Sequence, residues 1–307
     1  MYEITVLPMP PDFEGEVVAT LVARTVGSRR AVLYIHGFTD YFFQDHLAEH
    51  YTGQGIDFYA LDLRKYGRSL LPHQTRGLMR SVTDYFPEID EAVRIIRRDH
   101  DRLTVNAHST GGLVAALWAD RVRGRGLIDG LVLNSPFLDL NVPAPLRLAA
   151  DVLKGPFARS AWTLPLGVST VYGHSLHREH GGEWDYDLRL KPHGGFAVHA
   201  MWLAAIRRAQ RRLHRGLAVD VPVLVLASSR GLRVRDFVPE ARKADVVLDP
   251  RQIARWSTSI GPHVTCVRIP DGVHDLVLSA EPVRKQVFAE IDRWMAAYVY
   301  QGNENNP

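Results

Sequence analysis

The sequence predicts an α/β protein in which a mostly parallel central sheet is flanked by helices and interrupted by one insertion. Short β-branched runs alternate along the chain with segments whose apolar residues recur at helical spacing, as they do in βαβ units. The length of 307 residues and the hydrophobic content of 46% are sufficient for a large buried core. Residues 138–217 break the alternation between two predicted strands, which indicates an insertion over the sheet.

Six runs rich in β-branched residues predict the strands of the sheet. They are residues 31–35, 57–61, 103–107, 131–134, 221–227 and 264–269. Five segments with helical periodicity accompany them, at residues 40–53, 87–99, 110–121, 249–260 and 281–298. Cys266 is the single cysteine, so we expect no internal disulfide, and its apolar, alternating surroundings predict a buried strand residue.

The predicted domain organisation assigns residues 1–137 and 218–300 to the core, 138–217 to an inserted cap and 301–307 to a C-terminal tail. The end of the cap predicts a helix capped by Gly216, because four apolar residues recur at i, i+4, i+7 and i+11: Trp202, Ile206, Ala209 and Leu213. Five arginines occupy other positions of this helix: Arg207, Arg208, Arg211, Arg212 and Arg215. We interpret them as a solvated helix face, with docking to anionic lipid headgroups as the alternative.

Charge and hydropathy exclude several classes of protein. The net charge of +3 is small and the basic residues are spread along the chain, so we expect no nucleic-acid partner. The N-terminal residues lack the pattern of a signal peptide, and no run of 18 apolar residues occurs. We therefore expect a soluble, cytoplasmic protein, whose oligomeric state the sequence does not indicate.

Ser109 lies at a junction where a predicted strand is followed by a predicted helix. The residues from Ala107 to Gly111 read A-H-S-T-G, close to the G-x-S-x-G motif of a sharp turn that lifts a serine hydroxyl above the carboxyl edge of a sheet. Small residues are needed because strand and helix nearly collide there, and alanine is the smallest departure from glycine. Ordinary packing of a helix after a strand also requires small residues, so the motif alone leaves both interpretations open.

Two further loops contain the groups that a nucleophilic serine needs. His36 and Gly37 follow a predicted strand, and in loops of this type the next backbone N–H, here that of Phe38, points with the N–H of Thr110 at a developing oxyanion. His274 follows the last predicted strand, where a loop would return a general base to the serine. We therefore predict a nucleophile, a base and an oxyanion hole in one site.

The acid that orients the base should lie between Ser109 and His274 in the chain. Three aspartates follow the predicted strand at 221–227 and compete for this role: Asp236, Asp245 and Asp249. Asp249 also fits the N-cap of a helix that begins at Pro250. Spacing alone does not choose among the three.

Two histidine patterns suggest a metal site. His46, Glu49 and His50 form a literal H-x-x-E-H, but no matching carboxylate helix follows, and the segment lies where the first core helix is expected. A second group is embedded in Gly- and Arg-rich sequence, and we interpret it as loop histidines: His174, His177 and His180. We therefore predict neither a metal nor another cofactor.

Together these motifs resemble the α/β-hydrolase superfamily, and within it the monoacylglycerol lipase and lysophospholipase-like branch that is grouped with the serine aminopeptidases. The resemblance covers nearly the whole chain. Besides the cap, it rests on residues 36–38, 62–69, 107–111, 245–250 and 272–274. Relatives often carry D-x-R-G-x-G-x-S in the second of these segments, where Lys65 and Tyr66 depart from the pattern.

The resemblance implies an α/β-hydrolase fold and a serine esterase or lipase that uses Ser109, His274 and an aspartate. It selects Asp245 over Asp249, because relatives place the acid at the first aspartate of a D-x-x-V-x-P-like segment. We expect His36, Gly37 and His108 to contact the substrate.

The implied substrate is a small acyl ester of monoacylglycerol or lysophospholipid type, with transient contact to a lipid surface. The cap would hold the acyl chain, and four aromatic residues either line that tunnel or pack the cap onto the core: Phe157, Trp162, Trp184 and Phe196. A peptidase or amidase and a non-catalytic binding protein are the alternatives, since fold does not fix function.

Overall fold

The computed structural model describes residues 1–142, 161–164 and 169–300. One eight-stranded sheet forms its centre, with the strand order β1-β2-β4-β3-β5-β6-β7-β8. The strands are β1 (Glu3–Asp12), β2 (Gly15–Arg24), β3 (Arg30–Ile35), β4 (Asp57–Asp62), β5 (Arg102–His108), β6 (Gly130–Asn134), β7 (Val223–Ser228) and β8 (Val264–Ile269). Strands β3 to β8 pair in parallel, whereas β1 and β2 pair antiparallel.

All six predicted strands are confirmed as β3 to β8, but β1 and β2 were not predicted. Strand β1 lies at the sheet edge, and Leu7 is its one buried residue, so it lacks an apolar face that periodicity could reveal. It also contains Pro8, Pro10 and Pro11, and proline removes a ladder donor and argues against a strand except at an edge.

The helices flank the sheet. They are α1 (Asp45–Gly53), α2 (Phe86–Ile96), α3 (Ser109–Val122), α4 (Val171–Leu176), α5 (Ala200–His214), α6 (Pro250–Ser257) and α7 (Glu281–Tyr298). The predicted helices correspond to α1, α2, α3, α5, α6 and α7, with the largest difference at the start of α1. Residues 40–44 form part of the loop after β3 instead, and Asp40 in that loop lines the cavity described below.

Alternating strand residues build a separate apolar layer on each face of the sheet. In β3, Leu33 faces the layer covered by α2, α3, α5 and α6, whereas Tyr34 faces the layer covered by α1 and α7. Because both faces are buried, the inner parallel strands β3 to β7 are rich in apolar residues. This is why the sequence revealed them clearly.

The described part of the cap contains α4 and α5 and lies between β6 and β7 in the chain. Helix α5 confirms the predicted periodicity, since its four apolar positions all pack in the core: Trp202, Ile206, Ala209 and Leu213. The boundaries at 138 and 217 stay predictions. Phe157 and four of the cap's prolines lie outside the described residues: Pro143, Pro145, Pro156 and Pro165.

The solvated-face interpretation of the α5 arginines is wrong for Arg207. Its guanidinium is buried and donates to Asp139 at 2.7 Å and to Gln210 at 2.6 Å. Arg212 is exposed but pairs with Asp120 at 2.9 Å. Helix α5 lies against the core, so part of its basic face fixes it there by ion pairs, while contact with a lipid surface stays a prediction.

The prediction for Cys266 is half wrong. The residue lies in strand β8, as expected, but its side chain is exposed. Strand β8 is the edge of the sheet, and only Ile269 among its six residues is buried. An alternating apolar pattern therefore identified the strand but not its incomplete cover.

Lys65, in the loop after β4, occupies the position of the first glycine in the D-x-R-G-x-G-x-S pattern, and its backbone conformation is one that glycine adopts most easily. The backbone φ of Lys65 is 66°, in the left-handed region that costs a non-glycine residue about 1–2 kcal/mol. Its buried ammonium pairs with Asp12 and Glu14, both at 2.6 Å. These two ion pairs connect the loop to the turn between β1 and β2 and offset the strain.

Within residues 1–142, 161–164 and 169–300, none of the helices combines the length and the apolar character that crossing a bilayer requires.

Candidate active site

The turn at Ser109 joins β5 to α3 in a strained conformation. The φ of Ser109 is 51°, which holds its side chain at the carboxyl edge of the parallel strands. Gly111 makes this turn possible, because a Cβ there would lie 2.2 Å from the carbonyl oxygen of His36. Ala107 is fully buried in β5, so its methyl group fits where relatives have glycine.

The close approach at Gly111 predicts a large loss of stability in Gly111→Ala. The new methyl group would meet two backbone oxygens, those of Ile35 and His36, which cannot rotate away as a side chain can. We expect the free energy of unfolding in urea to fall by about 3 kcal/mol or more. Gly53→Ala is the matched control, because a Cβ at Gly53 has no heavy atom within 4 Å, and it should change stability by less than about 1 kcal/mol. Equal stabilities of the two variants would contradict the tight turn.

Three of the predicted catalytic side chains form a hydrogen-bonded chain. His274 Nε2 lies 3.0 Å from Ser109 Oγ, and His274 Nδ1 lies 2.9 Å from Asp245 Oδ2. The Asp245 carboxylate can only accept a hydrogen bond, so His274 Nδ1 carries the proton and donates it to that carboxylate. His274 Nε2 then accepts from the Ser109 hydroxyl. All three residues are buried, with Ser109 the most accessible at 8%.

The loop around Asp245 fixes its carboxylate. Asp245 Oδ1 accepts the N–H groups of Val247 at 2.8 Å and Leu248 at 2.7 Å, which leaves Oδ2 for His274. Asp249 instead accepts the N–H of Arg251 at 3.0 Å as the N-cap of α6. Asp236, the third candidate, is exposed in the loop after β7. The geometry thus brings Asp245, and not the other two aspartates, to the histidine.

The residues of the predicted oxyanion hole follow two neighbouring strands, β3 and β5. Phe38 follows β3, and Thr110 is the second residue of α3, where backbone N–H groups have no partner within the helix. Both residues line the cavity that contains Ser109. The ring of Phe38 packs 4.3 Å from that of Trp202 in the cap helix α5.

The predicted substrate contacts of His36 and Gly37 stay predictions. The described cavity lining includes His108 but neither of these residues. His36 is buried, its Nε2 accepts the N–H of Leu63 at 3.0 Å, and its Nδ1 donates to the Gly37 carbonyl at 2.8 Å. Gly37 packs behind the serine, since a Cβ there would lie 3.0 Å from Ser109 Cβ. Both residues therefore shape the loop rather than the cavity.

A cavity of about 410 Å³ opens above Ser109 and His274. Part of its lining is apolar: Phe137, Leu140, Val142, Val198, Trp202, Leu203, Val246, Val247 and Leu248. All of these except Val246 and Val247 also belong to the core or pack against it. The other part is polar: Thr39, Asp40, Ser169, Tyr172, Tyr186, Lys191 and His193. The volume lies in the range of small-molecule sites, and the two groups of residues suit a ligand with one apolar and one polar portion.

A buried ion pair in the polar part was not predicted. Lys191 from the cap donates to Asp40 at 2.7 Å, and both side chains are at least nine-tenths buried. The N–H of Phe196, also in the cap, donates to Thr39 Oγ1 at 2.9 Å. Since Thr39 and Asp40 directly follow Phe38, the cap holds the predicted oxyanion loop at two points. The sequence signal for this ion pair was weak, because it consists only of an aspartate shortly after the H-G dipeptide and one of five lysines.

The loop that carries His274 is anchored through the next residue. Asp275 accepts from Asn134 at 2.6 Å and from Gln44 at 3.3 Å, and its own N–H donates to the Tyr172 hydroxyl at 3.1 Å. Burial favours the protonated form of Asp275, but the charges of His108 and Lys191 and these hydrogen bonds outweigh it and hold the pKa below the usual value. An ionised, buried Asp275 therefore fixes the loop beside the base.

The contacts of the cap's aromatic residues indicate whether they line the cavity or pack the cap onto the core. Trp184 packs on His46 at 4.4 Å and donates to the Leu278 carbonyl, and Phe196 is buried against Phe38. Trp162 is 65% exposed. None of these three lines the described cavity, so packing of the cap onto the core is the better interpretation for Trp184 and Phe196.

The H-x-x-E-H side chains on α1 each have a separate contact. His46 Nε2 donates to the Val277 carbonyl at 2.8 Å, and His50 Nε2 lies 2.9 Å from Asp292 on α7. Glu49 pairs with Arg24 at 3.4 Å. These contacts join α1 to its neighbours and account for the pattern.

Comparison with known proteins identifies the family of this chain. Residues 27–281 match the model of the family described as serine aminopeptidase, S33. The chain therefore belongs to this family of the α/β-hydrolase superfamily, as the sequence predicted. Among curated proteins it is similar to phospholipase YtpA of Bacillus subtilis (strain 168), with 23% identity over 269 residues that cover 87% of this chain and 95% of that protein.

Solved structures with the same fold include two lipases. The chain is similar to a soluble variant of the monoglyceride lipase of Saccharomyces cerevisiae in complex with a substrate analog, with a TM-score of 0.67, 16% identity and 96% of each chain covered. It is also similar to the monoacylglycerol lipase of Paleococcus ferrophilus, with a TM-score of 0.68, 19% identity, and 92% of this chain and 99% of that chain covered. The α/β-hydrolase fold is thereby confirmed, and the family defines the chain as a hydrolase.

Proposed function

We propose that this chain is a serine carboxylic ester hydrolase that works through an acyl-enzyme, with Ser109 as nucleophile, His274 as base and Asp245 as acid. The observation that carries the proposal is the hydrogen-bonded chain from Ser109 Oγ through His274 to Asp245 beside an open cavity. A serine is activated when its hydroxyl contacts a base and the base in turn contacts a group that orients it, which is the order of contacts here.

In the proposed reaction, Ser109 Oγ attacks the ester carbonyl while His274 Nε2 takes its proton. Asp245 holds the imidazole in the productive tautomer and stabilises the imidazolium. The N–H groups of Phe38 and Thr110 stabilise the tetrahedral oxyanion, assisted by the N-terminus of α3. His274 then protonates the leaving alcohol, and a water molecule hydrolyses the acyl-enzyme by the same route.

The proposed substrate class is an acyl ester with a polar alcohol, of monoacylglycerol or lysophospholipid type. The apolar part of the cavity around Trp202, Leu203 and Val247 suits an acyl chain. The polar part around Asp40, Tyr172 and Lys191 suits the alcohol. The curated relative named as a phospholipase and the two lipase structures support this choice.

A panel of esters tests the proposal. We expect kcat/KM to rise by up to about fourfold for each added acyl methylene until the cavity is filled, because burying a methylene contributes about 0.8 kcal/mol. Monoacylglycerol, lysophosphatidylcholine and p-nitrophenyl esters of increasing length should be compared, with a peptide amide as control. Leu203→Trp should reduce kcat/KM for the longest acyl chain more than for the acetate, since Leu203 lines the apolar part. Faster cleavage of the amide than of every ester would contradict the proposal.

A further inference from the structure

Four histidines of the cap meet at one place beside the cavity. His174 lies in the last turn of α4, and His177 and His180 follow it, as the sequence pattern suggested. His193 joins them from a later segment, with its ring centroid 5.0 to 5.2 Å from the other three. The sequence could not indicate this fourth histidine, because 12 residues lie between it and His180.

Three side chains of this cluster have the spacing of metal ligands. Glu179 Oε2 lies 3.5 Å from His193 Nε2 and 3.8 Å from His177 Nδ1, and one ligand atom from each residue lies within 4.8 Å of the others. Zinc ligands at about 2.1 Å in a tetrahedron are about 3.4 Å apart. The three atoms are therefore nearly positioned around a common centre before any ion binds.

The hydrogen bonds of His177 favour the tautomer that a metal needs. Its Nε2 lies 3.3 Å from the Tyr186 carbonyl, which can only accept, so the proton resides on Nε2. The lone pair of Nδ1 accepts the backbone N–H of Glu179 at 3.2 Å, a hydrogen bond that a metal ion would replace. Metal-bound histidines commonly donate their second N–H to a backbone carbonyl in this way.

The two ring nitrogens of His193 are available as metal ligands. Both of its ring nitrogens are shielded from solvent and have no hydrogen-bond partner within the described ranges. The chain makes room for this ring on α4, since a Cβ at Gly173 would lie 2.6 Å from His193 Cα and 2.8 Å from its Nδ1.

We propose that His177, Glu179 and His193 bind a divalent transition metal, with zinc as the best match to two imidazoles and one carboxylate. A water molecule would complete the tetrahedron. The ion would connect the turn after α4 to the segment that contains Lys191, two residues before His193. Because Lys191 pairs with Asp40 in the oxyanion loop, the metal has a structural role in bracing the polar part of the cavity.

Zinc binding by untagged, chelator-treated protein tests the proposal. Titration in competition with a chromophoric chelator should show about one equivalent of zinc per chain, and zinc should raise Tm. His193→Ala and His177→Ala should each weaken the affinity by at least about tenfold. His73→Ala is the matched control, because His73 is exposed and lies outside the cluster, and it should bind zinc as the unaltered chain does.

Two further variants keep the test decisive. Glu179 is 62% exposed, so Glu179→Gln should fold even if a histidine variant does not, and it should also weaken zinc binding. Ser109→Ala should bind zinc normally, which separates the metal site from the triad. Binding of less than about 0.1 equivalent, or equal affinity in the unaltered chain, His193→Ala and Glu179→Gln, would overturn the proposal.

Discussion

Ser109→Ala is expected to lower kcat for a p-nitrophenyl ester by about 10⁶-fold and to abolish labelling by a fluorophosphonate. The reason is that the hydroxyl 3.0 Å from His274 Nε2 is the atom that forms the acyl-enzyme in the proposed mechanism. The fold should persist, because alanine removes only this oxygen. Residual turnover would come from the oxyanion hole and from substrate binding.

Ser135→Ala is the matched control for this prediction. Ser135 is also buried, has a φ of 45° at the end of the neighbouring strand β6, and its hydroxyl has no hydrogen-bond partner in the part of the chain that the structure describes. Loss of that hydroxyl should leave kcat and labelling nearly unchanged. Labelling that survives in Ser109→Ala would place the nucleophile elsewhere.

The local parts of the site could be predicted from the sequence because neighbouring residues determine them. The turn at Ser109 requires a strand, small residues and a helix within a few positions, and the chain contains all of these in order. The loop at His274 is similarly defined by β8 before it and the turn after it. Local chemistry therefore indicated the proposed nucleophile and base.

The remaining parts depend on contacts between distant residues. The Lys191–Asp40 ion pair joins positions 151 residues apart, and Asn134 reaches Asp275 across 141 residues. The contact of His36 is another example, since its ring accepts the backbone N–H of Leu63, 27 residues further along the chain. Such choices follow from packing in three dimensions, which periodicity does not describe.

These long-range contacts have a common effect on the site. Asp245 is held by loop N–H groups, His274 by the anchored loop at Asp275, and Phe38 by the cap contacts of the two residues that follow it. Each proposed catalytic group is thus positioned by a partner that does not react. Electrostatic stabilisation of a transition state depends on groups that are already oriented, so this arrangement favours the proposed chemistry.

Replacement of the proposed acid, Asp245, is the second change for which we expect a large loss of kcat. Asp245→Asn should lower kcat by about 10⁴-fold while stability changes little. The amide oxygen can still accept the N–H groups of Val247 and Leu248, so the loop keeps its shape. The amide nitrogen, however, would face His274 Nδ1 as a donor and favour the tautomer in which Nε2 carries the proton. That tautomer cannot take the proton of Ser109.

Asp249→Asn is the control that distinguishes the two aspartates. Asparagine caps a helix about as well as aspartate, so the contact to the Arg251 N–H and the stability of α6 should be preserved. Its kcat should remain close to that of the unaltered chain, because Asp249 contacts the helix and not the histidine. Kinetics on one ester, with urea unfolding of both variants, provide the measurement. A larger loss of kcat in Asp249→Asn than in Asp245→Asn would show that the orienting acid has been misassigned.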